Sequence, residues 1–199
     1  VDLSIRQWVN DLVALLDYLQ IQRAHIGGAS MGGAIAFQLA LDHPDRVQSL
    51  SILNSQPSFA LDRWYKKLMV WQRKLTVKWF GMERLIKRGV QRNLPLASQS
   101  DLRDKLAAQH TRNSDVYIAA LNAIAGWTAM DRISELKTSV LMMSSDADYT
   151  SIDEKRRLMQ GVADVTFEVI ANSRHMSHWD QSDIVAKTML EFLSQHLIT

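Results

Sequence analysis

The sequence predicts an α/β protein, a mostly parallel sheet with helices on its flanks and a long helical insertion between two of its strands. Three observations carry this prediction. Short apolar runs at 24–27, 47–53, 139–143 and 165–170 alternate with segments whose apolar residues recur every three or four positions. Such alternation of strand and helix is the pattern of a parallel sheet covered on both faces. From about 58 to 130 no strand-like run occurs and helical spacing takes over. Four of the eight glycines crowd into residues 27–33, where a strand has to give way to a helix.

In chain order, residues 4–19 carry Ile5, Trp8, Val9, Leu12, Val13, Leu16 and Leu19 at helical spacing, and Ser4 is placed to cap the start. Residues 24–27 form a first strand, and 31–41 a helix whose Gly32, Gly33, Ala34, Ala36 and Ala40 allow close approach to a sheet. Residues 47–53 form the second strand, ended by Asn54-Ser55-Gln56-Pro57. In the insertion Trp64, Leu68, Trp71, Leu75 and Trp79 share a helical stripe, which predicts a helix packing onto the core. Leu85, Ile86 and Val90 continue the pattern, and helices follow at 100–110 and 114–125. Beyond it come a strand at 139–143, a helix at 152–159, a strand at 165–170 and a last helix at 182–197 that Ser182 is placed to cap.

The 199 residues are enough for one domain with a sizeable core, and 47% are hydrophobic. The chain has no cysteine, which excludes disulfides and favours a reducing, cytoplasmic setting. No apolar run is long enough for an integral membrane segment, and no secretory leader is visible. The formal net charge of +2 is unevenly placed. Residues 61–92 hold ten Lys/Arg against Asp62 and Glu83, so that stretch is +8 and the remainder −6. No nucleic-acid recognition motif accompanies this charge, so no nucleic-acid partner is expected, and the run reads as a solvated face.

The chemistry is concentrated in Gly28-Ala29-Ser30-Met31-Gly32. A G-x-S-x-G between a strand and a helix is the setting of a nucleophile elbow, a reversal so tight that the residues flanking the serine need almost no side chain. Gly28 and Gly32 are read as providing that room. A phosphate-cradling loop would need Lys-Ser/Thr after the last glycine, and Ala34-Ile35 stand there instead. A serine needs a positioned base, and the base an orienting acid. Two aspartates, Asp146 and Asp148, follow the strand at 139–143, and His175 follows the strand at 165–170, with His178 just beyond. Ser, Asp and His therefore arrive at three strand ends in that order. His175, His178 and Asp180 on one short loop are too few for a metal site, so no metal and no cofactor is expected.

These segments carry a resemblance. The elbow with its downstream His43-Pro44-Asp45-Arg46 and following strand, the Ser145-x-x-Asp148-Tyr149-Thr150 loop and the Ser173-Arg174-His175 loop resemble the serine-dependent α/β-hydrolase fold family. The likeness covers nearly all of 1–56 and 131–199, the parts of the core, and covers the helical cap, about 57–130, only loosely. It implies a single domain, with Ser30 as nucleophile, His175 as general base and Asp148 as orienting acid; Asp146 and His178 are the rivals. It also implies a small-molecule acyl substrate, a carboxylic ester, lactone or similar compound. Alternatives on the same fold are a non-hydrolytic ligand-binding or signalling protein, a cofactor-free haloperoxidase or a C–C hydrolase. The backbone N–H of Met31 is the expected first oxyanion donor. Nothing in residues 1–24 resembles the loop that supplies the second, so the family's N-terminal strands and that donor are expected to lie outside this chain. Trp64, Trp71 and Met176 are candidate walls of the substrate pocket.

Overall fold

The computed structural model describes residues 3–109 and 113–197. Helix α1 (Ile5–Tyr18) leads to β1 (Ala24–Ala29), α2 (Met31–Asp42) and β2 (Val47–Leu53). The insertion holds α3 (Trp64–Asn93), α4 (Ser100–Gln109) and α5 (Ser114–Ile124), after which come β3 (Val140–Ser145), α6 (Ile152–Leu158), β4 (Val165–Ile170), α7 (Ser177–Asp180) and α8 (Ser182–Ser194). The strands form one sheet in the order β1-β2-β3-β4, with every pairing parallel. The α/β class and the parallel sheet are those the alternating pattern predicts.

Both faces of the sheet are covered, and β3 shows how. Val140 and Met142 face a core shared with Val9 of α1, Phe37 and Leu39 of α2 and Met159. Leu141 and Met143 face the opposite side, against Val185 and Phe192 of α8. A strand buried on both faces has no polar alternation, which is why Val140-Leu141-Met142-Met143 is continuously apolar. Helix α2 lies between α1 and the sheet and buries Gly33, Ala34, Ala36, Phe37, Leu39 and Ala40, with small side chains where the backbone comes closest.

Helix starts follow the caps only in part. Ser4 Oγ accepts the Gln7 N–H at 3.0 Å, as its position predicts. Ser182 is the first residue of α8 and makes no such bond, because the short α7 precedes it and leaves Gln181 at the cap position. Asn113 and Ser151 cap α5 and α6 through their side chains. The predicted end of the 100–110 helix at His110 lies outside the described residues.

The tryptophan stripe departs from expectation. Trp64, Trp71 and Trp79 are 76, 56 and 73% exposed, so they do not pack onto the core. Periodicity shows that a helix has an apolar stripe but not which way the stripe points. Helix α3 bends at Gly81 (φ 74°), where the helical dihedrals are interrupted. Its second half buries Met82, Ile86 and Val90 in a small core with Leu94 and Leu106. Its first half turns a different face inward. Val77 is buried, Lys66 lies 3.8 Å from Glu154 of α6, and Arg73 stacks over Tyr149 in the loop after β3. Residues 66, 73 and 77 share one side of the helix, and the tryptophans occupy the other.

Candidate active site

Residues from three strand ends meet at Ser30. The serine follows β1 at φ 51°, ψ −118°, a left-handed conformation that non-glycine residues adopt only when their surroundings impose it. Those surroundings are hydrogen bonds. The Ser30 N–H donates to Leu53 O at 3.0 Å, and Ser30 O accepts from Gly33 N at 3.0 Å and Ser55 Oγ at 2.5 Å.

The glycines around it are not equivalent. A Cβ on Gly28 would overlap the carbonyl of Gly32 and the amide of Gly33, and one on Gly33 would overlap the Ser55 side chain. A Cβ on Gly32 would meet nothing within 4 Å. The steric demand expected at Gly32 therefore falls on Gly33, because the new helix turns its Gly33 face, not its Gly32 face, toward the end of β2.

His175, in the loop after β4, stands between the serine and an aspartate. Its Nε2 is 2.9 Å from Ser30 Oγ and its Nδ1 is 2.6 Å from Asp148 Oδ1. That geometry fits the tautomer in which Nδ1–H donates to the carboxylate and Nε2 accepts from the hydroxyl. The histidine side chain is 14% exposed and the Asp148 side chain 2%. Burial pushes the Asp148 carboxyl upward, but the hydrogen bond and charge of His175 and the ammonium of Lys155 outweigh it and hold it below the ordinary carboxylate range.

Asp146 has a different task. Its carboxylate accepts the Asn172 and Ser173 amides at 2.8 and 3.1 Å, which clamps the start of the histidine loop to the end of β3. His178 lies on α7, exposed, its ring beside that of Trp179. Asp180 accepts Ser173 Oγ at 2.7 Å, so it braces the same loop. No group of three or more His, Cys, Asp or Glu suited to a metal ion occurs among the described residues.

Met31, the first residue of α2, has its amide in the first turn, where helix N–H groups have no intrahelical acceptor. Met176 is half-buried beside His175, and Trp64 and Trp71 stand exposed on α3. The insertion reaches the site by another route. The Tyr149 ring stacks on His175 with centroids 4.5 Å apart, its hydroxyl accepts from Asn93 Nδ2 at 2.7 Å, and Arg92 lies 5.0 Å over its face.

Two residues of the site carry no motif in the sequence. Asn54, read only as a strand breaker, is buried at φ 47° and ties three loops together. Its Oδ1 accepts the Ser145 N–H at 2.7 Å, and its Nδ2 lies 2.9 Å from Ser145 Oγ and Ser177 Oγ, 3.1 Å from His175 O and 3.2 Å from Arg174 O. Its position directly after a strand was the one available signal. Lys155, within the charged run Asp153-Glu154-Lys155-Arg156-Arg157, is 1% exposed and bonds Asp148 Oδ2 and Ser144 Oγ, the latter at 2.8 Å.

A parallel sheet with a serine at a left-handed strand-to-helix turn, and with Asp and His delivered after later strands, places the molecule in a known class. The family model described as the alpha/beta hydrolase fold matches residues 2–182, and the chain belongs to that family. Among curated relatives, it is 25% identical over 191 residues to a 2-hydroxy-6-oxononadienedioate/2-hydroxy-6-oxononatrienedioate hydrolase of Comamonas testosteroni, covering 90% of this chain and 66% of the relative. It is 23% identical over 193 residues to a 2-hydroxy-6-oxo-6-phenylhexa-2,4-dienoate hydrolase of the same species, covering 91% and 66%. The chain thus spans about two thirds of the length of these relatives. Among solved structures, the enol-lactonase of Burkholderia xenovorans LB400 superposes with a TM-score of 0.85 at 22% identity, covering 97% of this chain and 74% of that one. A thermophilic esterase from Thermogutta terrifontis gives 0.84 at 20% identity, covering 99% and 75%.

Proposed function

We propose that the protein is a serine hydrolase that cleaves a carboxylic ester, lactone or related acyl compound through an acyl-enzyme. The single observation that carries this reading is the hydrogen-bonded line Ser30 Oγ–His175–Asp148, assembled from the ends of β1, β4 and β3. In the proposed reaction His175 Nε2 takes the Ser30 proton as Oγ attacks the substrate carbonyl. The same proton then passes to the leaving group, and a water repeats the sequence to release the acid. Asp148 fixes the imidazole tautomer, and the Met31 N–H donates to the oxyanion as the carbonyl carbon becomes tetrahedral. Residues of about 57–130 act as a cap over the strand ends, joined to the site through Tyr149, with Met176 as a candidate contact for the substrate; Trp64 and Trp71 lie on the side of α3 opposite Arg73, which faces Tyr149.

The fold neighbours named as an enol-lactonase and an esterase fit this reaction. The two Comamonas relatives favour a second reading, hydrolysis of a 2-hydroxy-6-oxo dienoate of the kind their names describe. A panel containing nitrophenyl esters, lactones and such a dienoate separates the two. A fluorophosphonate probe should label Ser30, and Ser30→Ala or His175→Ala should lower kcat by roughly 10⁴–10⁶ if the three residues act as a unit. Undiminished turnover in Ser30→Ala would end the assignment.

A further inference from the structure

We infer that Lys155 is a positioning residue of this site, holding one oxygen of Asp148 from behind so that the other stays aimed at His175. This rests on the hydrolase reading above.

The first reason is placement. The inward positions of α6 and the residue that ends it are half-buried Ile152, Lys155 and buried Met159, while Asp153, Arg156 and Arg157 are exposed. An apolar residue would be the default at 155. A lysine is almost never fully buried unless it is paired, and this one is 1% exposed against a carboxylate that is 2% exposed.

The second reason is the partner. Lys155 Nζ meets Asp148 Oδ2, the oxygen that His175 leaves unused, and is steadied by Ser144 Oγ at 2.8 Å. Burying either charge alone would be strongly unfavourable, so each holds the other in place. Burial pulls the Lys155 ammonium below the ordinary lysine range, and the charge and hydrogen bond of Asp148 work against that pull.

The consequence is geometric. A carboxylate held by an ammonium at Oδ2 is not free to turn away from the imidazole that it orients with Oδ1, so His175 Nε2 stays directed at Ser30 Oγ.

The other charged groups around the histidine do not take over this role. His178 lies on the next turn, and Arg73 and Arg92 sit over the Tyr149 ring that stacks on His175, so all three add positive charge or none. Asp146 and Asp180 are engaged with the Asn172 and Ser173 groups, and Glu154 lies beside Lys66. Lys155 is the cation in direct contact with the acid.

The test is kcat and KM, measured separately, for wild type, Lys155→Gln and Lys155→Arg, alongside fluorophosphonate labelling of Ser30 in each. Glutamine keeps a donor and removes the charge, and arginine keeps the charge. In Lys155→Gln kcat should fall about tenfold with KM little changed, because a loosened acid misplaces the base and leaves substrate binding alone. Lys155→Arg should retain most of the wild-type kcat. A folded Lys155→Gln enzyme whose Ser30 still labels and whose kcat equals that of wild type overturns the inference alone. Failure of Ser30 to label in wild type overturns it together with the hydrolase reading.

A second experiment leaves Lys155 untouched. Asp148→Asn strands the buried ammonium, whose folded-state affinity for the proton is then below its unfolded one. Thermal stability of Asp148→Asn should therefore rise between pH 7 and 10 as the proton leaves, and the rise should vanish in the Asp148→Asn/Lys155→Gln double variant. A flat profile in Asp148→Asn refutes the pairing.

Discussion

Replacing Asn54 by alanine should damage both stability and the site, and the size of the effect can be worked from its contacts. The Ser145 N–H, buried at the end of β3, loses its acceptor at 2.7 Å, and an unsatisfied buried amide costs about 1–3 kcal/mol. The side-chain amide has two protons for the four acceptors within 3.2 Å, so two good hydrogen bonds are lost, about 1 kcal/mol each. The hydroxyls of Ser145 and Ser177 can reorient, which recovers part of that. The φ of 47° adds about 1 kcal/mol for an alanine, because asparagine tolerates the left-handed region and alanine does not. The sum is a loss of about 3–5 kcal/mol, measured by urea denaturation followed through tryptophan fluorescence. Asn54→Gly should be about 1 kcal/mol milder, since it loses the same contacts without the backbone strain. In activity, the carbonyls of Arg174 and His175 lose their anchor, and a misplacement of the base by about 1 Å should lower kcat/KM about 10²-fold. An Asn54→Ala protein within 1 kcal/mol of wild type and with unchanged kcat/KM would refute the view that this side chain holds the three loops in register.

Two further outcomes are expected. Gly28→Ala should destabilise the elbow severely and remove probe labelling of Ser30, whereas Gly32→Ala should fold and label almost normally; equal labelling in the two would contradict the steric reading of the turn. Stability should fall in acid as well. Asp148, Asp146 and Asp42 each sit below the ordinary carboxylate range once the bonds to their partners outweigh burial. Their contributions are therefore fully present above about pH 4, the unfolded-state value, and are lost as the pH falls through the lower folded values. Asp42 Oδ1 accepts from Arg132 Nη1 at 2.6 Å, so thermal melts between pH 2 and 6 should show this slope, reduced in Asp42→Asn, and a slope unchanged by that substitution would exclude the pair as a contributor.

The sequence by itself determined whatever depends on neighbours along the chain. The sheet and its main helices follow from apolar spacing, the turn at Ser30 from four glycines in seven residues, and the two chemistry-bearing loops from their places directly after strands. Strand ends in a parallel sheet all open on one edge, so order along the chain brought Ser30, one of Asp146 and Asp148, and one of His175 and His178 together, and the family resemblance singled out Asp148 and His175.

The tertiary structure decided whatever depends on approach from elsewhere. Asp146 and Asp148 are two residues apart and look alike in the sequence; only the packing of the histidine loop turns one toward its backbone amides and the other toward the imidazole. The Trp64–Trp79 stripe has the same period whether it faces the core or solvent, and the inward choice falls to the face bearing Val77, Lys66 and Arg73. Gly33 rather than Gly32 meets Ser55, a contact 22 residues along the chain. Lys155 sits among four charged neighbours with nothing to mark it, and becomes part of the site only because α6 turns it inward onto Asp148. A charge's role is set by what surrounds it in space, and for a buried ion pair that surrounding is the folded protein itself.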